Sequence, residues 1–354
     1  MSTPSENRAP RIVLAGAVNS SRLTFEALLR HKAPLLGVLG LSPEPGRRAS
    51  GYVDLVELAG SEGVPAVHFE NINDTSVAQQ VAEWDPEVLM VVGLSQMVRQ
   101  PLLDAPRRAC VGYHPTALPR GRGRAPIAWL TLDGTDGTDA TDGTNGTDGA
   151  ATFFVMTPEA DAGGVLVQEP FEVPGGAYAA DVVAVQSEAI TRALDRWLPR
   201  MLEGWWDPVP QDENLATWNG RRGPADGWID WSRSAEEILG IVRTASKPHP
   251  GAYTYSGGEK LVVWRASLET DWPIRGAVGR VLVDDEHRGL LVQAGDGLIW
   301  LSEFEGPTRP GVGSRLGFVV ENELAKLSGR VAELEKRLEQ LAEGQRDESV
   351  RPAA

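Results

Sequence analysis

Three unbroken apolar runs in the first third of the chain constrain its fold most: RIVLAGA (Arg11–Ala17), LLGVLGL (Leu35–Leu41) and VLMVVG (Val88–Gly93). A strand with one wet face alternates polar and apolar residues. These runs do not, so each is expected to be buried on both faces, as parallel strands are. Between them lie stretches of helical character, Leu23–Leu29, Tyr52–Ala59 and Asn73–Trp84, and a short strand, Pro65–Phe69. Asp74-Thr75-Ser76 offers capping residues to the last helix. This alternation predicts an α/β fold, a Rossmann-like, mainly parallel sheet with helices on both faces. No Gly-x-Gly-x-x-Gly follows the first run, so a dinucleotide-binding reading has no motif behind it.

Two further strands, Ala151–Met156 and Val165–Val173, and a long amphipathic helix, Asp181–Leu202, extend this first domain over residues 1–206. GWWDPVP (Gly204–Pro210) reads as a linker. A second domain is expected over 207–317. There Ser234-x-x-Glu237 forms a capping box, and Val278–Leu316 reads as short strands and turns. A chain of 354 residues is long enough for two cores. Its formal net charge of −15 argues against general affinity for nucleic acid, so tRNA is not expected as a partner. One cysteine, Cys110, leaves no internal disulfide and no cysteine-built metal centre. The five histidines have no ligand spacing, so no metal is expected. The polar start MSTPSENRAP and the lack of an apolar run of ~18 residues predict a cytoplasmic protein without a membrane span.

Chemistry-bearing residues concentrate in CVGYHPTALPRGRGRAPIAW, Cys110–Trp129. An apolar run ends in Gly112, Pro115 and Pro119 interrupt regular structure, and Pro126 can open a helix. His114 is therefore expected where a strand ends and a rigid loop begins, the place where open α/β sheets build their sites. Arg107 and Arg108 precede it and Arg120, Arg122 and Arg124 follow it. Arg makes bidentate contacts to phosphate and carboxylate, so the last three are candidates for binding an anionic substrate. A solvated surface turn is the plain alternative.

The stretch HPTALPRGRGRAPIAW resembles the HPSLLPxxRGxxP signature of the N10-formyltetrahydrofolate-dependent formyltransferases, enzymes that formylate amines. In that family an Asp in an Asp-x-Gly context follows a short strand, a position held here by Asp161 before Ala162-Gly163-Gly164. The resemblance implies N10-formyltetrahydrofolate as co-substrate. It implies cofactor contacts at Ser95, Gln96 and Met97 after the third apolar run, and at Gly163. For the side chains of 95–97 an ordinary strand-to-helix turn is the alternative. The family usually places Asn two residues before the His, to steady the formyl oxygen; here that position is Gly112. RRGPADGWIDW (Arg221–Trp231) and PHPGAY (Pro248–Tyr253) resemble the start of the second domain of tRNA-type and amino-sugar formyltransferases, which implies a small OB-like β-barrel. Lys260–Trp264 and Gly295-Asp-Gly297 are most similar to the UDP-4-amino-4-deoxy-L-arabinose formyltransferase domain. The resemblance covers roughly residues 10–317.

Formyl transfer needs a neutral attacking amine, a donor for the developing oxyanion and a carrier for protons. The resemblance assigns the donor role to His114 and the proton-carrying role to Asp161, roles that suit their chemistry. No side-chain nucleophile is needed, because the amine attacks directly. The implied acceptor is a primary amine on a nucleotide-linked amino sugar or a similar small metabolite. Methionyl-tRNA formyltransferase, hydroxyornithine-type N-formyltransferase and formyl-folate hydrolase activities stay open.

Two stretches stand apart. DGTDGTDATDGTNGTDG, residues 133–149, is a low-complexity repeat with no apolar face, expected to be a disordered surface insert; its Asp spacing matches no calcium loop. In the tail, Val320, Leu324, Leu327, Val331, Leu334, Leu338 and Leu341 alternate at spacings of four and three. This pattern over 318–345 predicts a coiled-coil helix and a homodimer, with a disordered end at 346–354. One helix packed on its own domain would carry the same stripe.

Overall fold

The computed structural model describes residues 9–46, 49–136, 147–317 and 320–349. Contact density divides them into two compact units. One runs to Gly227 and takes in Gly240–Ala252; the other comprises Trp228–Leu239 and the chain from Tyr253 onward.

The first unit opens with β1 (Ile12–Gly16), α1 (Asn19–Arg30), β2 (Leu35–Leu41), a single turn α2 (Pro43–Gly46), α3 (Leu55–Ser61), β3 (Ala66–Phe69), α4 (Thr75–Trp84), β4 (Val88–Val92) and β5 (Ala109–Thr116). It continues with β6 (Arg122–Gly123), α5 (Pro126–Asp136), β7 (Thr147–Val155), β8 (Val165–Val173), α6 (Ala179–Leu202) and β9 (Trp218–Asn219). Seven strands form one sheet in the order β3-β2-β1-β4-β5-β7-β8. The pairs from β3 to β5 are parallel, and the β5–β7 and β7–β8 pairs are antiparallel. The strand order reverses between β1 and β4, the position at which such sheets open a crevice at their carboxyl ends.

The unbroken apolar runs are explained by two cores, one on each face. Ile12 and Leu14 pack with Phe25 and Leu28 of α1, Leu55 of α3 and Trp197 of α6. Val13 and Ala15 point the other way, toward Val77 and Val81 of α4.

Local chemistry shifts several boundaries. The helix expected from Tyr52 starts at Leu55, because Asp54 Oδ1 caps the amides of Val56 and Glu57. The Tyr52 hydroxyl instead donates to the Leu41 carbonyl. Asp74 is the N-cap of α4, but its side chain makes no capping bond. The Gly-Thr-Asp stretch is shorter as an insert than its composition predicts. α5 continues to Asp136, and Thr147–Gly149 already pair with Phe171–Val173 of β8. Residues 137–146 lie outside the described residues, as do 1–8 and the end of the tail. Residues 207–227 belong to the first unit. There Val209 pairs with Val165, and β9 pairs with β6.

α7 (Ala235–Ala245) begins in the second unit at the expected capping box: the Glu237 amide donates to Ser234 Oγ, and the Ser234 amide donates to Glu237 Oε2. β10 (Ala252–Ser256), β11 (Glu259–Glu269), β12 (Val281–Asp285), β13 (Gly289–Gln293) and β14 (Leu298–Glu305) form a sheet ordered β10-β11-β14-β13-β12. Leu291, Leu298 and Trp300 centre its core. α8 (Val320–Ser349) is one continuous helix. Its apolar stripe does not pack on its own domain: Val320, Leu324, Leu327, Val331, Leu334 and Leu338 are each 50–66% exposed. The Leu341 side chain lies outside what is described.

Candidate active site

β5 runs two residues past His114, because Thr116 still pairs with Gly149 of β7. The chain then turns through a cis Leu118–Pro119 bond into β6. Thr116 Oγ1 closes the turn by donating to the Arg120 carbonyl at 2.8 Å, and Thr152 Oγ1 donates to the Thr116 carbonyl at 2.7 Å. His114 is buried. Its Nε2 lies 2.9 Å from the Gly121 carbonyl oxygen, and its Nδ1 lies 3.7 Å from Asp161 Oδ2. Both ring nitrogens thus face oxygen acceptors, and the one within hydrogen-bond distance is the Gly121 carbonyl. The 3.7 Å separation is longer than a hydrogen bond, so the ring and the carboxylate face one another without being bonded.

Asp161 sits in the turn between β7 and β8 in the left-handed conformation, φ +56°. Three contacts hold it there. Its Oδ2 accepts the Gly123 amide at 2.8 Å. Gln211 Nε2 donates at 2.7 Å to the Asp161 carbonyl and at 2.7 Å to that of Gly163. Gly123 must be glycine: its φ is +107°, and a Cβ would stand 2.5 Å from the Asn219 carbonyl. Gly163 must be glycine as well, since a Cβ would lie 1.7 Å from the Val155 carbonyl.

Arg122 anchors the arrangement rather than binding substrate. Its side chain is fully buried. Its Nη1 and Nη2 fork onto Glu213 at 2.9 and 2.7 Å, while Nε and Nη2 donate to Gln211 Oε1 at 3.2 and 2.9 Å. The Trp218 ring covers the guanidinium at 5.5 Å. Hydrogen bonding to Arg122 holds the Glu213 carboxyl below its ordinary range, and the guanidinium is raised in return. Burial, aided by Asp104, pushes the Cys110 thiol up to about 12. Burial also raises the Tyr113 hydroxyl, against an opposing hydrogen bond from Gln186.

The remaining expected residues divide. Arg120 and Arg124 are exposed, and neither side chain has a partner among the described residues. Ser95 and Met97 are exposed where the chain leaves β4, and their backbone amides make no hydrogen bond among the described residues. The Gln96 side-chain amide braces the neighbouring loop. Its Oε1 accepts the Ile72 amide and its Nε2 donates to the Glu70 carbonyl, both at 2.7 Å. Asn73 answers from the other side, bonding the Met97 carbonyl and the Arg99 amide at 2.8 Å each. Gly163, expected at the cofactor, is buried with its carbonyl taken by Gln211. Gly112 is buried in β5, where a Cβ would meet the Phe154 ring at 2.9 Å and Met156 Cγ at 3.0 Å. Apolar groups therefore fill the space of the missing amide. Gln211, Glu213 and Thr217, whose Oγ1 accepts the Gly121 amide at 2.8 Å, lie in a stretch that reads only as post-linker polar sequence.

Among the described residues, neither ring nitrogen of His114 bonds a serine, threonine or cysteine. The chain belongs to the formyl transferase family: the family model described as "Formyl transferase" matches residues 55–191, and "Formyl transferase, C-terminal domain" matches 222–311. Among solved structures it is similar to HypX from Aquifex aeolicus in complex with tetrahydrofolic acid, at a TM-score of 0.55 and 18% identity over 85% of this chain and 45% of that one. This chain thus spans less than half the length of HypX. It is also similar to the N-formyltransferase from Helicobacter canadensis, in complex with folinic acid and dTDP-3-aminofucose, at a TM-score of 0.56 and 11% identity over 83% and 99% of the two chains. Methionyl-tRNA formyltransferase from Clostridium thermocellum matches at a TM-score of 0.50 and 18% identity over 73% and 94%. No helix among the described residues is long and apolar enough to cross a membrane.

Proposed function

We propose that this chain transfers a formyl group from N10-formyltetrahydrofolate to a primary amine on a nucleotide-linked amino sugar or a similar small metabolite. The observation that carries the reading is the buried His114 with Asp161 Oδ2 at 3.7 Å from its Nδ1, in a chain with both formyl transferase domains. The folate supplies a formyl group activated by attachment to an aryl amine nitrogen. The residues present suit such a group: the free amides of Ser95 and Met97, with the exposed Met97 side chain, offer polar backbone and apolar surface at the carboxyl end of β4. His114 Nε2–H, turned from the Gly121 carbonyl on substrate binding, donates to the oxygen that gains charge as the amine adds, and Asp161 takes the amine's proton and returns it to the leaving nitrogen. Gly112 supplies no side-chain donor, so the second donor is a backbone amide or a water.

Exposed, unpaired Arg120 and Arg124 in a chain of net charge −15 support an acceptor with phosphates. The same charge disfavours tRNA. An OB-like barrel for the second domain is supported by the segment after β14, in which Leu316 bridges to Ser256 and Arg315 bridges to Arg280. The reading is completed by a cytoplasmic setting and by a homodimer through the C-terminal helix. The test is a screen of nucleotide-linked amino sugars and free amines with formyl-folate, read as a mass gain of about 28 Da, the mass of CO. A nucleotide-linked product whose apparent KM rises in Arg120→Ala or Arg124→Ala supports the proposal. Formylation of methionyl-tRNA alone, or folate turnover without any amine, contradicts it.

A further inference from the structure

We propose that α8 is one strand of a parallel, in-register, two-stranded coiled coil formed with a second copy of this chain; this rests on the dimer reading above and fixes its geometry. The helix runs unbroken for 30 residues, roughly 45 Å at ~1.5 Å per residue. Its apolar residues recur every 3.5 positions on average, the spacing that makes two helices supercoil left-handedly. Leu324, Val331 and Leu338 take the a positions, and Val320, Leu327 and Leu334 the d positions. All six are at least half exposed in the single chain, so this stripe is unsatisfied. Gly329 lies on the opposite, solvent face with nothing within 4 Å, and a mid-helix glycine costs about 1 kcal/mol. A helix so weakened, and without packing on its own domain, gains its stability from a partner.

At the centre of the stripe, Val331 at a between Leu327 and Leu334 at d is the combination that favours two strands. Charge selects the orientation. Arg330 is at g and Glu335 at e, and neither has an ion-pair partner among the described residues of its own chain. In a parallel, in-register pair, g of one helix lies beside the e position five residues on in the other. Arg330 then meets Glu335 of the second copy, twice by symmetry. An antiparallel pair centred on the stripe would align Leu324 with Leu334 of the second copy, and would bring Arg330 against its own counterpart.

The test uses the full chain and two single substitutions, Leu324→Cys and Leu334→Cys. Cys110 is buried and stays out of the reaction. Under mild oxidation each variant alone should form a disulfide-linked dimer. Cross-linking only when the two variants are mixed would overturn the parallel assignment and leave the dimer. A wild-type monomer in sedimentation equilibrium would overturn both, and a trimer or tetramer would overturn the two-stranded assignment. Leu327→Glu with Leu334→Glu should give a monomer with unchanged melting of the folded domains. Formyl transfer is assayed separately, so its failure would bear on the chemistry alone.

Discussion

Gln211 Nε2 donates to the Asp161 carbonyl at 2.7 Å, so a residue fifty positions downstream holds the backbone of the proposed proton carrier. The hold is needed, because Asp161 is in the left-handed region at φ +56°, a conformation that costs about 1 kcal/mol or more for a residue with a side chain. Gln211 is itself fixed by Arg122, and Arg122 by Glu213. Gln211→Ala should lower kcat by ~10–100-fold, with the KM for formyl-folate nearly unchanged. Gln211→Glu should not rescue it, since a carboxylate has no N–H to offer the two carbonyls. A Tm loss in Gln211→Ala with kcat intact would make this residue a scaffold only.

Arg122→Lys should behave almost as badly as Arg122→Ala. Lysine cannot fork onto Glu213 and bond Gln211 at the same time. A thermal melt and a kcat measurement on both variants check this. Full activity in Arg122→Lys would mean that charge alone suffices.

Gly112→Asn, which restores the family's usual residue, should impair the protein. Its Cβ would press on the Phe154 ring at 2.9 Å and on Met156 Cγ at 3.0 Å, and overpacking of this kind typically costs about 1–3 kcal/mol. Adding Phe154→Ala should relieve part of the loss. Turnover rising by several orders of magnitude in Gly112→Asn alone would show that the chain lacks any substitute for the missing donor, a contribution of ~2.7–4 kcal/mol where it has been measured.

Glu269 gives the second unit a pH dependence. The Trp300 indole N–H, the Asp271 amide and Arg288 donate to it and lower its carboxyl to about 2. An unfolded Glu titrates near ~4.3, so this contribution is fully present above that pH and is lost as pH falls toward the folded value. Trp300→Phe removes the largest cause, and its melting temperature should fall less steeply than that of wild type between about pH 5 and pH 2. Parallel curves would remove Glu269 from the acid response.

The parallel sheet was legible because runs such as Leu35–Leu41 and Val88–Val92 have no polar alternation, and a strand packed on both faces leaves no other reading. That His114 and Asp161 come close together was legible through the motif that surrounds them. Their positioning was not. Gln211 and Glu213 follow the linker with no periodicity, and only the β6–β9 pairing brings them to Arg122. The split among residues 95–97 was hidden as well, because whether a Gln faces a ligand or braces a loop depends on where Glu70 and Ile72 pass. The same holds for Gly112: a sequence shows the missing amide but not the Phe154 ring in its place.

The most direct test of the central claim is the rate of amine-dependent tetrahydrofolate release from N10-formyltetrahydrofolate, measured in wild type, His114→Asn and Asp161→Asn. Positioned acid–base groups usually contribute ~10²–10⁴, so each variant should lose at least ~10² in turnover while keeping the fold. Wild-type release should match formylated amine one for one. Turnover within about tenfold of wild type in either variant, or release at the same rate without any amine, would contradict the account.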